Sequence, residues 1–249
     1  EITCTGSDVQ FIVTENIMQY AVDSACAELG VYEEKKTEAL YALAHAVLAR
    51  SLAVKEGTKH SGAHFCDLTC CQSYRVLSPF TFDDQVTVRA ECGSRIFFGS
   101  SGGGVILTGK VFNTDPGFSE QPLPDIIYSD SYALSKELYP SWNARISSDE
   151  LNTILYAAVK KKTTQINYSV QNETMTLSTY DGPFRIAPET FRLIINRVKG
   201  WAFIKSNNYE VRSDNGIFIF SGSGLGHCAG LSIEGAVQLA GRGYSRYEI

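Results

Sequence analysis

A chain of 249 residues, 44% of them apolar and 20% charged, is long enough to bury a sizeable core in one large domain or two modest ones, and its composition excludes a disordered chain. A net charge of −5 excludes the basic footprint of a nucleic-acid binder and speaks weakly against adhesion to anionic polymers or membranes. No apolar run approaches the roughly 18 residues of a membrane span, and a start at Glu1 rather than Met leads us to expect that a signal or anchor has been removed.

In chain order, residues 7–13 read as a strand. Residues 15–29 read as an amphipathic helix with Ile17, Ala21, Ala25 and Leu29 at helical spacing, Thr14 as candidate N-cap and Gly30 as its left-handed end. A second, alanine- and leucine-rich helix is predicted over 36–55. Residues 58–75 form a Cys/His-rich loop, 86–90 and 95–98 read as strands, and 99–104 is a small-residue loop. Pro116, Gly117, Pro122 and Pro124 mark a loop and a candidate lobe boundary. Beyond it, Ser147-Ser148-Asp149-Glu150 opens a short helix to Val159, residues 165–180 alternate as a strand meander, 189–195 read as helix and 201–220 as strands. The expected fold class is α+β, helices packed on a largely antiparallel sheet. We expect a single domain over 1–249 with a candidate second lobe at about 120–215.

The last 28 residues are the most distinctive. The apolar run 217–220 reads as a strand, Gly222, Gly224, Gly226 and Gly230 surround His227, and 232–241 reads as a small-residue helix. Glycines let a backbone approach a ligand closely and take positive φ without steric cost. A histidine set among them is a candidate binding residue. A strand, glycine loop and helix also match the outline of a dinucleotide fingerprint, but that needs a further strand and an acidic residue about twenty positions on. This sequence supplies neither.

The pattern G-x-G-x-G-H-x-x-G-[LM]-S-x-x-G-A is met by Gly222, Gly224, Gly226, His227, Gly230, Leu231, Ser232, Gly235 and Ala236, and continues through Leu239, Ala240 and Gly243. It resembles the closing motif of the SpoIID/LytB family, the stage II sporulation protein D group. Cys228 stands where that family carries Gly, and Ile233 where it carries Gln. Ala44, Ala46, Val47, Ala49, Arg50 and Ala53 are similar to its alanine-rich helix, with His45 in place of Gln. Asp67, Thr69, Cys71, Gln72 and Tyr74 resemble its C-D-x-T-x-C-Q-x-Y segment, residues 98–103 its serine-glycine loop, and Glu189-Thr190-Phe191-Arg192 its arginine-bearing helix. The resemblance keeps its order over nearly the whole chain, and it implies two lobes flanking a glycan groove.

Active members of that family are lytic transglycosylases, which cleave the β-1,4 bond after N-acetylmuramic acid and leave a 1,6-anhydro end. Hydrolysing glycosidases flank the bond with two carboxylates. A lytic transglycosylase manages with one Glu, because the sugar's own 6-hydroxyl is the nucleophile. That Glu needs a raised pKa and low-polarity neighbours. The resemblance places it at Glu28, in Ala25-Cys26-Ala27-Glu28-Leu29-Gly30, where the family reads A-x-E-M-P. Glu38, displaced by two positions against the family pattern, is the rival, and a solvated helix-end carboxylate is the plain alternative for Glu28. His227, Ser100, Ser101, Gly226 and Ser232 are candidate glycan-binding residues, against ordinary turn chemistry for the serines.

His60, His64, Cys66, Cys70 and Cys71 lie within twelve residues, a density and spacing that suit a tetrahedral zinc. Some family members bind zinc with His…Cys…His-Cys. The resemblance matches His60, Cys66 and Cys71 to that set, with Cys70 replacing the adjacent His and His64 an alternative to His60. Outside the cytosol, disulfides are the competing reading. The expected metal is structural, with no organic cofactor.

The function so implied is a peptidoglycan lytic transglycosylase acting on glycan strands, with an N-acetylmuramoyl-L-alanine amidase as candidate partner and no nucleic-acid partner. The alternative is a non-catalytic wall-binding modifier that stimulates an amidase. Either would be extracytoplasmic.

Overall fold

A computed structural model describes residues 2–5, 8–11, 14–30, 37–52, 64–65, 74, 98–99, 107, 111, 141–170, 172–246 and 248–249. The chain divides into two compact units, Glu1–Ile96 with Leu239–Ile249, and Phe97–Gln238.

In the first unit, β1 (Ile2–Thr5) and β2 (Asp8–Phe11) form an antiparallel hairpin, Ile2 opposite Phe11 and Thr5 opposite Asp8. The strand expected over 7–13 is thus the second arm of a hairpin. Helix α1 (Ile17–Leu29) begins two residues later than expected. Its cap is Asn16 rather than Thr14, because the Asn16 side-chain oxygen accepts the Met18 amide at 2.8 Å. Gly30, with φ +77°, stops it. Helix α2 (Thr37–Leu52) packs along α1. Ala21, Val22 and Ala25 of α1 are buried, as are Leu40, Leu43, Ala44 and Val47 of α2, in both cases at helical spacing. Full burial of each leucine stabilises by roughly 1.5–3 kcal/mol.

The second unit holds two small antiparallel sheets. A two-residue strand, β3 (Phe98–Gly99), precedes β4 (Trp142–Ser147), whose residues alternate buried and exposed. Ser147 caps helix α3 (Ser148–Val159) by accepting the Glu150 amide at 3.2 Å. Strands β5 (Thr163–Ser169) and β6 (Thr174–Thr179) fall in the meander expected over 165–180, and β7 (Gly182–Ile186) extends it by a third strand. Helix α4 (Pro188–Lys199) follows, then the hairpin β8 (Tyr209–Asp214) and β9 (Ile217–Gly222), which completes a sheet in the order β4-β9-β8. Leu151, Leu155, Ile166, Leu177, Phe191 and Phe220 meet in one core. The chain ends through β10 (Leu231–Ser232) and helix α5 (Ile233–Gly241).

The architecture is α+β. The second unit is wider than the 120–215 lobe, because Phe98–Gly99 pairs in parallel with Leu231–Ser232 and draws both flanks into it. The proline-bearing stretch 114–126 and the strand expected at 86–90 lie outside the described residues.

Candidate functional site

The glycine-rich stretch is fixed by backbone on both sides. It leaves β9 at Gly222, where a Cβ would stand 2.7 Å from Trp142 Cζ2 and 2.8 Å from Tyr209 Cβ; only hydrogen fits. The Ser223 amide then donates to Asn208 O at 3.0 Å, and the Gly226 amide to Lys205 O at 2.7 Å. Gly226 (φ +88°) returns its carbonyl to the Asn207 amide at 3.2 Å, so residues 205–208 run alongside 223–226. On the other flank Leu107 donates to Cys228 O at 2.7 Å and accepts from the Gly230 amide at 3.1 Å.

His227 is half-buried in this frame, and its Nδ1 accepts the Ala229 amide at 3.0 Å. An accepting Nδ1 places the proton of the neutral ring on Nε2. The backbone beneath His227 is tied inward by Asn207, whose Nδ2 donates to His227 O at 3.4 Å and to Glu189 Oε2 at 2.7 Å. Glu189 in turn accepts Arg192 Nε at 2.8 Å and Nη2 at 2.6 Å. All three side chains are buried. Arg192, part of the arginine-bearing helix resemblance, is therefore spent on structure. Asn207 carried no sequence signal, since Asn-Asn between two strands reads as an ordinary turn.

Cys228 answers a question the motif raised. Its φ is +62°, the left-handed region that glycine takes without strain. Burial pushes its thiol up to about 11, although the Asn207 and Asn208 amides point at the sulfur and oppose the rise. A buried, protonated thiol is a packing group rather than a nucleophile. Nothing in the structure explains Ile233 in place of Gln. Ser232 is buried and its Oγ accepts the Gly235 amide at 3.1 Å, which makes it the N-cap of α5.

In the first unit, Glu28 lies in the last turn of α1, half-buried and one residue before Leu29. Its rival is differently placed. Glu38, in the first turn of α2, accepts Arg246 Nη2 at 2.8 Å, Nε at 3.1 Å and the Arg246 amide at 2.6 Å. The Arg246 side chain holds the Glu38 carboxyl below the usual range. At the other end of α1, Tyr20 stacks between Phe65 (4.9 Å between centroids) and Tyr74 (5.4 Å), and the Tyr74 hydroxyl donates to Glu15 at 2.7 Å. Burial raises the Glu15 carboxyl; the Tyr74 hydrogen bond opposes the rise and neighbouring Asp23 adds to it. None of these groups was singled out in the sequence, apart from Tyr74 as a motif position.

Ser100, Ser101, His60, Cys66, Cys70 and Cys71 lie outside the described residues. His64 is exposed with its ring 6.4 Å from that of Phe65, and among the described residues no cluster of His, Cys, Asp or Glu is arranged to hold a metal. No helix among the described residues is long and apolar enough to cross a membrane. The chain matches no protein-family model and no curated protein. The likeness to SpoIID/LytB rests on the short motifs alone.

Proposed function

We propose that the protein is a peptidoglycan lytic transglycosylase in which Glu28 is the sole acid–base residue. The observation that carries this reading is the engagement of the rival carboxylate, Glu38, by Arg246. Glu38 is engaged by three Arg246 donors and favoured in its ionised form, which unfits it to deliver a proton at neutral pH. Glu28 stands half-buried beside Ala27 and Leu29.

Glu28 gives its proton to the glycosidic oxygen as the C1–O bond of N-acetylmuramic acid breaks. The resulting carboxylate then takes the proton of the 6-hydroxyl as O6 bonds to C1, which closes the 1,6-anhydro ring and restores the acid. No water is consumed, and one carboxyl group serves both steps. We assign glycan contact to His227 and Gly226, and to Ser100 and Ser101 after β3; Ser232, expected among them, serves instead as the buried cap of α5. A structural zinc on His60, Cys66, Cys70 and Cys71 belongs to the proposal and takes no part in the chemistry. So do an extracytoplasmic location and an amidase that strips stem peptides from the strands.

Digestion of purified peptidoglycan tests the reading. Wild type should release 1,6-anhydromuropeptides, seen by mass spectrometry, and Glu28→Gln should release none while keeping its thermal midpoint. Equal products from both would remove Glu28 from the chemistry. No products from either would leave the wall-binding modifier.

A further inference from the structure

The sheet β5-β6-β7 turns one face to the core, through Ile166, Leu177 and Ile186, and the other to solvent. The solvent face carries no carboxylate along its strands. Asn167, Thr176 and Arg185 stand in one cross-strand row, and Gln165, Ser178 and Pro183 in the next. In a chain with 27 acidic residues and a net charge of −5, such a face departs from the average surface. At one end it meets Lys160-Lys161-Lys162, the only run of three lysines in the sequence. Thr163 pairs with Thr179, so Lys162 stands across from Tyr180, a residue 87% exposed.

Among the described residues most of this cationic charge is outside ion pairs. Lys161 pairs with Asp181 at 3.0 Å, but among the described residues Lys160, Lys162 and Arg185 enter no ion pair. Lys160 and Lys162 hold their ammonium groups 5.5 and 5.7 Å from the ring of exposed Tyr156. A helix C-terminus attracts cations, and Lys160 Nζ does reach Ala157 O at 3.4 Å. That explains one lysine. It does not explain Arg185 on the sheet, or two tyrosines left in water.

We infer that this face is an accessory docking surface for a carboxylate-bearing glycan strand. Amide and hydroxyl groups on a flat sheet suit sugar hydroxyls, exposed tyrosine suits the apolar face of a pyranose, and Lys160, Lys162 and Arg185 suit carboxylates spaced along the polymer. The overall charge opposes adhesion to anionic polymers; this patch is the local exception. The choice of glycan rests on the proposed transglycosylase reading, in which strands stripped of stem peptide carry a free lactyl carboxylate on every second sugar.

Binding of the full chain, in a Glu28→Gln background so that strands survive, is measured with fluorescently labelled peptide-free strands. The same strands neutralised by carbodiimide amidation, and inorganic polyphosphate, serve as comparisons. Intact strands should bind at least tenfold tighter than either. Lys162→Glu with Arg185→Glu should weaken binding at least tenfold and Tyr180→Ala several-fold, with unchanged thermal midpoints. Unchanged binding by the charge-reversed protein, or equal binding of neutralised strands or polyphosphate, overturns the inference. Cleavage is scored separately, with short soluble strands and Glu28 intact. A chain that binds through this face but never cleaves would sink the enzymatic reading and keep the surface.

Discussion

Glu38 and Glu15 show how two carboxyl groups in one unit acquire opposite pH dependence. Arg246 lowers the Glu38 value, so its contribution to stability is present above the ordinary carboxylate pKa and is lost as pH falls through the folded value. Burial raises the Glu15 value, so its contribution is present below the ordinary pKa and is lost as pH rises through the folded value. In thermal melts across pH 3–8, Glu38→Gln should flatten the acid limb, and Glu15→Gln should remove a loss on the opposite side. Tyr74→Phe deletes the hydrogen bond that opposes the rise at Glu15, so carboxyl NMR should find that group titrating still higher. Gly222 is a residue-scale constraint of another kind. Gly222→Ala forces a methyl against Trp142 and Tyr209 and should cost about 1–3 kcal/mol in denaturant unfolding. The last contrast lies within the motif itself, where Cys228 keeps the left-handed turn of a glycine and adds a buried thiol.

Caps and pairings decide matters at the scale of the element. Ser147→Ala and Ser232→Ala each delete a side-chain acceptor at a helix start, and each should cost about 1 kcal/mol by denaturant unfolding, with Asn at either position restoring most of it. Helices α1 and α2 were legible because small and branched apolar residues recur every three to four positions. The start of α1 was not, since Thr14 and Asn16 are both good cap residues and only the backbone path selects the one that reaches Met18. Strand β4 alternates strictly, with Trp142, Ala144 and Ile146 buried and Asn143, Arg145 and Ser147 exposed, yet only the helix start that Ser147 caps was legible there. Strands β5 and β6 were legible from their alternation, although their burial contrast is less regular than that of β4.

For the molecule, the buried Glu189–Arg192–Asn207 network joins helix α4 to the backbone beneath His227. Removing one member leaves its partner charged and uncompensated. Glu189→Ala should cost about 3–5 kcal/mol of unfolding free energy, and replacing both Glu189 and Arg192 by apolar residues should cost less. Elemental analysis of the purified protein checks the zinc proposal, with one metal per chain expected and none after Cys66→Ser with Cys70→Ser. The sequence by itself determined the helical periods of α1 and α2, the strand–glycine–helix order of the tail and the candidate His227, because these depend on local spacing, whereas Glu28 became a candidate only through the resemblance. Only the tertiary structure decided that Glu38 is taken by Arg246, that Asn207 anchors the histidine loop, that Ser232 caps α5 and that the solvent face of one sheet is free of carboxylates. Each joins residues distant in sequence or depends on a backbone path that local spacing does not specify.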